Sequence, residues 1–188
     1  MGLKHKTSLA GRRIVVGVSG SIAAYKAAEI VSQLVQRGAQ VSVVMTKNAA
    51  EFVGPLTFQA LTRRRVLVDQ YDLESIVDAT HISMTDDAEL VLVAPATANV
   101  IAKMAHGLAD DALTSVLLAV KCPVWVAPAM NNRMWDHPAT QENLATLKKR
   151  GVTIVAPGEG FLACGTYAVG RLAEPMDLVA AVEKALAK

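Results

Sequence analysis

Three side chains with the chemistry of an active site stand in separate polar segments of the sequence. Cys164 lies in the glycine-rich segment GEGFLACGTYAVGR, His81 follows a polar stretch in DATHISMTDDAEL, and Asn131 is the first of two asparagines in APAMNNRMW. An imidazole accepts a proton near neutral pH, a thiol can donate one, and an asparagine amide can donate a hydrogen bond to a carboxylate. The three residues are therefore candidates for proton transfer and substrate binding.

Ordinary structural roles stay open for all three residues. On position alone, a histidine such as His81 is more often a satisfied or surface side chain than a catalytic one. Asn131 could cap a helix, and Cys164 could be a small apolar residue packed in a loop. The other histidines, at positions 5, 106 and 137, are interpreted as structural or solvated. The two cysteines form no CxxC pattern, so neither a metal site nor a disulfide framework is expected.

Four polar segments stand where an apolar run of the sequence stops. Each run is predicted to be a strand, and the segments that follow are GVSGSIAA, MTKNA, APATAN and APAMNNRMW. In open parallel sheets, ligands bind beyond the carboxyl ends of the strands. The four segments are therefore the predicted lining of a ligand site, although Thr97 and Asn99 could also serve only as helix caps.

The first of these segments has the composition of a phosphate-binding turn. Gly17, Ser19, Gly20 and Ser21 lie between a strand and a helix, where backbone N–H groups and hydroxyls can bind an anion. The spacing matches neither the dinucleotide fingerprint nor the P-loop, and MTKNA lacks the acidic residue that an NAD site usually offers. A mononucleotide such as FMN fits better, although the two glycines could also serve only a tight turn.

The elements that must position these residues alternate along the chain. Short apolar runs predict strands at 13–19, 40–46, 89–95, 122–128 and 151–157. Helical periodicity predicts helices from the first turn to Gly38, near 49–61, between 98 and 120, near 140–150 and at 176–188. The pattern predicts an α/β fold: a single-domain, open, mostly parallel sheet with helices on both faces, Rossmann-like or flavodoxin-like.

The composition of the chain limits its expected partners. Hydrophobic residues make up 52% and charged residues only 19%, yet no apolar run approaches the ~20 residues of a membrane helix. The apolar excess predicts a homo-oligomer, because permanent interfaces resemble a domain core. A net charge of +2 with scattered charges predicts no nucleic-acid partner, and the lack of an apolar leader predicts a cytoplasmic protein.

Taken together, the segments resemble the homo-oligomeric flavin-containing cysteine decarboxylase family over residues 11–180. The pieces that carry the resemblance are, in order, GVSGSIAAYKA, the THIS histidine, APATANVIAKMAHGLADD, PAMNNRMW and LACGTYAVGRLAEP. Each piece is weak alone, but their order is specific. The resemblance implies FMN as the cofactor, a small-molecule substrate and a trimer, with assembly to a dodecamer as the larger alternative.

The resemblance also implies which residues form the site. His81 would assist proton removal, and Cys164 would donate a proton in the last step. The implied substrate-binding residues lie in the asparagine motif and the cysteine segment: Met130, Asn131, Leu162 and Ala163. The implied FMN-binding residues lie at the ends of three strands: Gly17, Ser19, Gly20, Ser21, Ile22, Thr46, Thr97, Ala98 and Asn99.

The implied reaction is the FMN-dependent decarboxylation of 4'-phosphopantothenoylcysteine to 4'-phosphopantetheine in coenzyme A biosynthesis. A cysteine carboxylate has no electron sink for the loss of CO2, but hydride transfer to the flavin gives a thioaldehyde that provides one. Loss of CO2 leaves an enethiol, which a proton and the returned hydride convert to the saturated thiol. A flap over residues 158–175 would keep water off these intermediates.

Other functions are weighed against this one. A peptidyl-cysteine decarboxylase has a similar fold and flavin but releases the enethiol, so it requires no acid such as Cys164. A non-catalytic FMN-binding regulatory protein would not need His81, Asn131 and Cys164 together. These two functions are the alternatives, whereas a flavin prenyltransferase is not expected to carry the asparagine motif with the cysteine segment.

The domain organisation is predicted to be simple. Residues 1–188 are expected to form one flavoprotein decarboxylase domain, with a flexible tail at 1–11. Bacterial relatives often fuse this domain to a synthetase, so the chain is either a stand-alone enzyme or the N-terminal part of a longer one. Within the flap, Ala168 and Leu172 stand where the family usually has glycine and methionine.

Overall fold

The computed structural model describes residues 8–69 and 84–187 and shows one parallel six-stranded sheet. Its strands are β1 (Arg13–Val18), β2 (Gln40–Met45), β3 (Val66–Leu67), β4 (Leu90–Ala96), β5 (Val124–Pro128) and β6 (Thr153–Ile154). They lie in the order β3-β2-β1-β4-β5-β6, and each adjacent pair is parallel. The predicted fold class is confirmed, and this strand order is the Rossmann-like one.

Two sets of helices cover the two faces of the sheet. One face packs against α1 (Ala24–Gln36), α3 (Pro55–Thr62) and α8 (Pro175–Leu186). The other face packs against α4 (Ala98–His106), α5 (Ala112–Ala119) and α7 (Pro138–Lys149). Two single-turn helices, α2 (Lys47–Ala50) and α6 (Asn132–Trp135), follow β2 and β5 directly. None of the described helices is both long and apolar enough to span a membrane.

Burial on both faces explains why the central strands are predominantly apolar. Successive side chains of a strand point to opposite faces of the sheet. In β1, Ile14 and Val16 accordingly belong to the core on the α1 side, and Val15 belongs to the core on the α5 side. Gly17 also faces α5, where an added Cβ would lie 2.6 Å from Leu113 Cδ1. A larger residue at position 17 would therefore push α5 away from the sheet.

The helices expected between 98 and 120 are α4 and α5, and Gly107, with a left-handed φ of 69°, ends α4. Two other regions differ from the sequence prediction. The helix expected at 49–61 is divided into α2 and α3, because Pro55 starts a new helix after the extended Gly54. Residues expected to form only a loop contain an antiparallel hairpin, β7 (Gly158–Phe161) and β8 (Tyr167–Arg171).

Candidate functional site

The turn between β1 and α1 borders two pockets at the carboxyl ends of the strands. The strand-end pocket, of about 510 Å³, includes four of the predicted residues in its lining: Gly20, Thr46, Thr97 and Asn99. The hairpin pocket, of about 570 Å³, lies against β7 and β8 and includes seven of them: Ser21, Ile22, Met130, Asn131, Leu162, Ala163 and Cys164. The structure therefore divides the predicted site residues between two cavities that share one turn.

Three predicted site residues, Gly17, Ser19 and Ala98, line neither of these pockets. The buried Ser19 hydroxyl donates to the carbonyl oxygen of Pro95 at 2.7 Å and accepts from the Thr97 amide at 3.0 Å. It thereby joins the ends of β1 and β4, the two strands at which the order of the sheet reverses. Ser19 therefore fixes the ends of these two strands relative to each other. A direct contact of its hydroxyl with a ligand stays a prediction.

Two threonines at the edge of the strand-end pocket cap the N-termini of helices with their hydroxyl groups. Thr46 Oγ1 accepts from the Ala49 amide at 3.1 Å, and Thr97 Oγ1 accepts from the Val100 amide at 3.4 Å. A hydroxyl that accepts in a cap still has its own O–H to donate. The first amides of α4 also have no partner within the helix, and its dipole favours an anion there. The edge of the pocket therefore offers donors that suit an anionic ligand.

Gly20 allows the turn after β1 to lie directly against the turn after β2. A Cβ at position 20 would lie 2.5 Å from Asn48 Cβ and 3.0 Å from the Asn48 carbonyl carbon. No side chain fits in that space without moving one of the two turns. The glycine therefore keeps two strand ends close together, which narrows the strand-end pocket at its donor-rich edge.

A partly buried ion cluster lines the same pocket and was not predicted from the sequence. Lys103 of α4, with 17% of its side chain exposed, lies 2.6 Å from Asp110 Oδ1 and 2.8 Å from Asp111 Oδ2. Burial alone would raise the pKa of Asp111, but hydrogen bonds from Lys103 and Thr114 outweigh burial and lower this pKa. Burial alone would lower the pKa of Lys103, but its hydrogen bonds to the two carboxylates outweigh burial and raise this pKa. The cluster is therefore fully charged at neutral pH.

The Asp111→Asn substitution should separate the charge of Asp111 from its capping role. Asp111 caps α5 by accepting from the Thr114 amide at 2.8 Å, and asparagine caps equally well. We expect Asp111→Asn to lower the free energy of unfolding by about 1 kcal/mol at neutral pH, and Asp111→Ala by about 1 kcal/mol more. Urea denaturation measures both values, with the exposed Asp136→Asn, which lies outside the cluster, as the matched control.

The sign of the pH dependence follows from the lowered pKa of Asp111. A carboxylate with a depressed folded-state pKa adds stability that is present above its unfolded pKa and is lost as the pH falls through the folded one. The stability difference between the wild type and Asp111→Asn should therefore shrink in acid. A difference that stayed constant from neutral pH to acid would contradict the charged pair.

The hairpin is attached to the asparagine motif by a close backbone contact. The Met130 amide donates to the carbonyl oxygen of Gly170 at 2.9 Å. Gly170 has a φ of 142°, and a Cβ there would lie 2.2 Å from the Met130 carbonyl oxygen. Ala168, by contrast, pairs with Gly160 inside the hairpin and needs no left-handed φ. The alanine therefore fits the hairpin, while position 170 requires glycine.

The hairpin places the predicted cysteine against the predicted asparagine. Asn131 Nδ2 lies 3.2 Å from Cys164 Sγ, and Asn131 Oδ1 accepts from the Arg133 amide at 2.9 Å. The bond to Arg133 orients the amide so that its N–H group points toward the thiol. Hydrogen bonds with the hydroxyl and backbone of Thr166 hold the pKa of the exposed Cys164 thiol below its usual value. A stronger acid than an ordinary thiol therefore lies beside an amide donor.

Sequence reasoning and the structure differ in which charged groups belong to the pockets. His81 lies outside the described residues, so its predicted role stays a prediction. The charged lining residues that sequence reasoning did not name are Arg171 in the hairpin pocket and Lys47, Asp69, Lys103, Asp110 and Asp111 in the strand-end pocket. Only the AHGLADD stretch carried a signal for one of these groups: Asp111, a typical helix-capping residue, follows Lys103 by eight positions. Across 8–69 and 84–187, no cluster of three or more His, Cys, Asp or Glu could hold a metal ion.

The chain is similar in sequence to known proteins. A sequence model of the family described as Flavoprotein matches residues 3–187. The Coenzyme A biosynthesis bifunctional protein CoaBC of Bacillus subtilis (strain 168) is 50% identical over 180 residues, which are 96% of this chain and 44% of that relative. The chain therefore spans less than half the length of this curated relative.

Solved structures also resemble the chain. A PPC decarboxylase with a cysteine replaced by serine, complexed with pantothenoylaminoethenethiol, superposes with a TM-score of 0.83 at 30% identity and covers 95% of this chain and 100% of that one. The FMN-dependent cysteine decarboxylase SpaF superposes with a TM-score of 0.80 at 36% identity and covers 95% and 97%.

Proposed function

The chain belongs to the Flavoprotein family, and from that premise we propose that it is an FMN-dependent carboxy-lyase that converts 4'-phosphopantothenoylcysteine to 4'-phosphopantetheine in coenzyme A biosynthesis. The similarity to CoaBC and to PPC decarboxylase supports the substrate and the reaction. The observation that carries the proposal is the 3.2 Å approach of Asn131 Nδ2 to Cys164 Sγ in a pocket bordered by the flavin-type turn. This contact places a hydrogen-bond donor for the substrate carboxylate, Asn131, beside a proton donor, Cys164.

The strand-end pocket fits FMN by the chemistry of its donors. The O–H groups of Thr46 and Thr97 and the first amides of α4 could bind a phosphate or the polar edge of a ring, and Gly20 keeps the two turns in contact. Asn99 and Ala98 would lie at the start of that helix. When bound, FMN would supply the hydride acceptor and the hydride donor that the decarboxylation of a cysteine derivative requires.

Asn131 would position the carboxylate that leaves as CO2. Its Oδ1 accepts from the Arg133 amide, which orients the side chain so that Nδ2, the donating atom, is available to the substrate. A neutral amide orients a carboxylate without the strong stabilisation that a cation would give. That distinction matters because the carboxylate charge leaves this position when neutral CO2 forms.

Cys164 would donate the proton that saturates the product. Its thiol lies in the hairpin pocket beside Leu162 and Ala163, where a substrate carbon would be covered by the hairpin. Exclusion of water by this cover would keep the enethiol from other proton donors. His81 is proposed as the base that assists removal of the substrate proton, on the family resemblance alone.

The proposal is tested by incubating the FMN-loaded protein with 4'-phosphopantothenoylcysteine and recording CO2 release and product mass. We expect release of CO2 and formation of 4'-phosphopantetheine. Release of an unsaturated enethiol by the wild type would instead support a peptidyl-cysteine decarboxylase, with cysteine-terminated peptides as the next substrates. If the flavin-loaded protein releases no CO2 from either substrate class, the enzymatic proposal is wrong and the regulatory alternative gains support.

The assembly proposed for this chain is a homotrimer, with a dodecamer as the larger form, in the cytoplasm. Large apolar side chains that are exposed on the isolated chain support an interface: Ile22, Tyr25, Phe52, Leu56, Leu108, Leu118 and Met176. Residues 1–188 are proposed as one flavoprotein domain, with 158–175 as its substrate flap. Sedimentation equilibrium would return a monomer mass if the trimer is wrong.

A further inference from the structure

Two cations line the hairpin pocket and have no role in the proposed chemistry. Lys26 lies near the start of α1, and Arg171 is the last residue of β8. The Lys26 side chain is only 12% exposed and the Arg171 side chain 39% exposed. A lysine that is this deeply buried requires a partner for its charge.

The carboxylate that faces both cations is Glu174, and it holds them loosely. Lys26 Nζ lies 3.3 Å from Glu174 Oε2, and Arg171 Nη2 lies 3.4 Å from Glu174 Oε1. Charge-assisted hydrogen bonds are normally about 2.7 to 2.9 Å long. In the strand-end pocket, by contrast, the single cation Lys103 has two carboxylates, at 2.6 and 2.8 Å. The group of Lys26, Arg171 and Glu174 therefore has one uncompensated positive charge and long contacts.

The two cations belong to different parts of the fold. Lys26 is fixed in a helix of the main domain, while the Arg171 side chain lies across Gly160 of the hairpin. A Cβ at Gly160 would lie 2.5 Å from Arg171 Nη1 and 2.7 Å from its Cδ, so the glycine makes room for the guanidinium. An anion bound between Lys26 and Arg171 would thus tie the hairpin to the sheet.

We infer that Lys26 and Arg171 bind the terminal phosphate of the substrate, with Glu174 as the resident counter-ion that keeps both cations in place. The inference rests on the proposed function, which supplies a phosphorylated substrate. A phosphate monoester carries about −1.5 to −2 charges near neutral pH, more than the single Glu174 carboxylate. Arginine also matches phosphate oxygens in a bidentate geometry.

The phosphate suits this pair better than the reacting carboxylate does. A cation that held the carboxylate would stabilise the charge that decarboxylation removes, and would slow the step. The neutral Asn131 amide beside Cys164 has no such cost. The cations therefore serve the end of the substrate that keeps its charge.

The test compares ligands with and without the phosphate on the FMN-loaded protein. Dissociation constants for 4'-phosphopantetheine and pantetheine are measured by calorimetry, and kcat/KM is measured for phosphopantothenoylcysteine and pantothenoylcysteine. In Lys26→Met, the preference for the phosphorylated ligand should fall by about 10-fold to 100-fold, because a hydrogen bond to a charged group is lost. Arg171→Lys should lose part of this preference. Glu174→Gln should lower the dissociation constant of the phosphorylated ligand.

The control variant and the outcomes separate this inference from the proposed function. Lys149→Met removes an exposed lysine of α7 and should leave both ligands unchanged. If Lys26→Met weakens both ligands equally, or leaves the preference intact, the phosphate assignment is overturned. If Lys26→Met, Arg171→Lys and Glu174→Gln all weaken both ligands equally, the cluster has a purely structural role and the phosphate assignment is likewise overturned. Failure of the wild type to release CO2 refutes the proposed function, whereas the calorimetric preference still decides the role of Lys26.

Discussion

The Cys164→Ser variant is expected to release CO2 but to yield a product lighter than 4'-phosphopantetheine by the mass of H2. A serine hydroxyl is a far weaker acid than a thiol, so the enethiol would no longer receive its proton. The wild-type thiol is unusually well suited to that donation, because Thr166 lowers its pKa and Asn131 Nδ2 lies 3.2 Å from its sulfur. Formation of saturated product should fall ~100- to 10,000-fold, the usual contribution of a general acid.

Mass spectrometry of the product, with CO2 measured in the same reaction, checks this expectation. Cys122→Ser is the matched control, since Cys122 is half-buried, precedes β5 and lines neither pocket. It should form the saturated product at the wild-type rate. Saturated product from Cys164→Ser at that same rate would remove Cys164 from the final protonation and return it to a structural role.

The Gly170→Ala variant is expected to lower kcat/KM about 100-fold while FMN stays bound. An added Cβ would stand 2.2 Å from the Met130 carbonyl oxygen, and the φ of 142° already disfavours alanine. The hairpin must therefore move away from the asparagine motif, which separates Cys164 from Asn131. A displacement of about 1 Å at a reacting group is enough for a loss of this size. The strand-end pocket contains no hairpin residue, so flavin binding should persist.

Flavin absorbance and steady-state kinetics on the same sample measure the two quantities. Gly158→Ala is the control within the hairpin, because no atom lies within 4 Å of a Cβ there and its φ is not left-handed. It should behave as the wild type does. Normal turnover by Gly170→Ala would mean that the contact with Met130 does not position the thiol, whereas loss of FMN would mean that the hairpin also supports the strand-end pocket.

The central strands could be predicted from the sequence because both of their faces are buried. β1, β2, β4 and β5 are predominantly apolar, with Ser42 as the polar residue inside β2, and the next polar residues mark their carboxyl ends. The predicted site segments follow from those ends by the geometry of parallel sheets alone. β3 was missed because it contains only Val66 and Leu67, too few residues for any pattern.

The hairpin could not be predicted, because its signals are weak one by one. Gly158, Gly160 and Gly170 reduce strand propensity in the segment. What supports the pairing is a cross-strand contact between Phe161 and Tyr167, whose rings meet edge to face with centroids 5.4 Å apart. Such a contact exists only once the register is known.

Lys26 and Ser19 could not be linked to their partners from the sequence, because those partners are far away in the chain. Lys26 and Glu174 are separated by 148 positions, and Ser19 and Pro95 by 76. A lysine, a serine or a proline in these contexts has no unusual local pattern. Only the folded sheet brings these groups to one edge, which is why the contacts of Lys26 and Ser19 emerge from the structure.

The hairpin is paired separately from the main sheet. β7 and β8 form a separate two-stranded sheet, and hydrogen-bond to each other rather than to the six-stranded sheet. Regions of this kind open with a free energy well below that of global unfolding. Amide hydrogens of the hairpin would thus exchange with solvent through a local opening that leaves the protected amides of β1 and β4 untouched. The stability of the domain and the access of ligands to Cys164 are therefore separate quantities, and a mutation in the core can alter the first without changing the second.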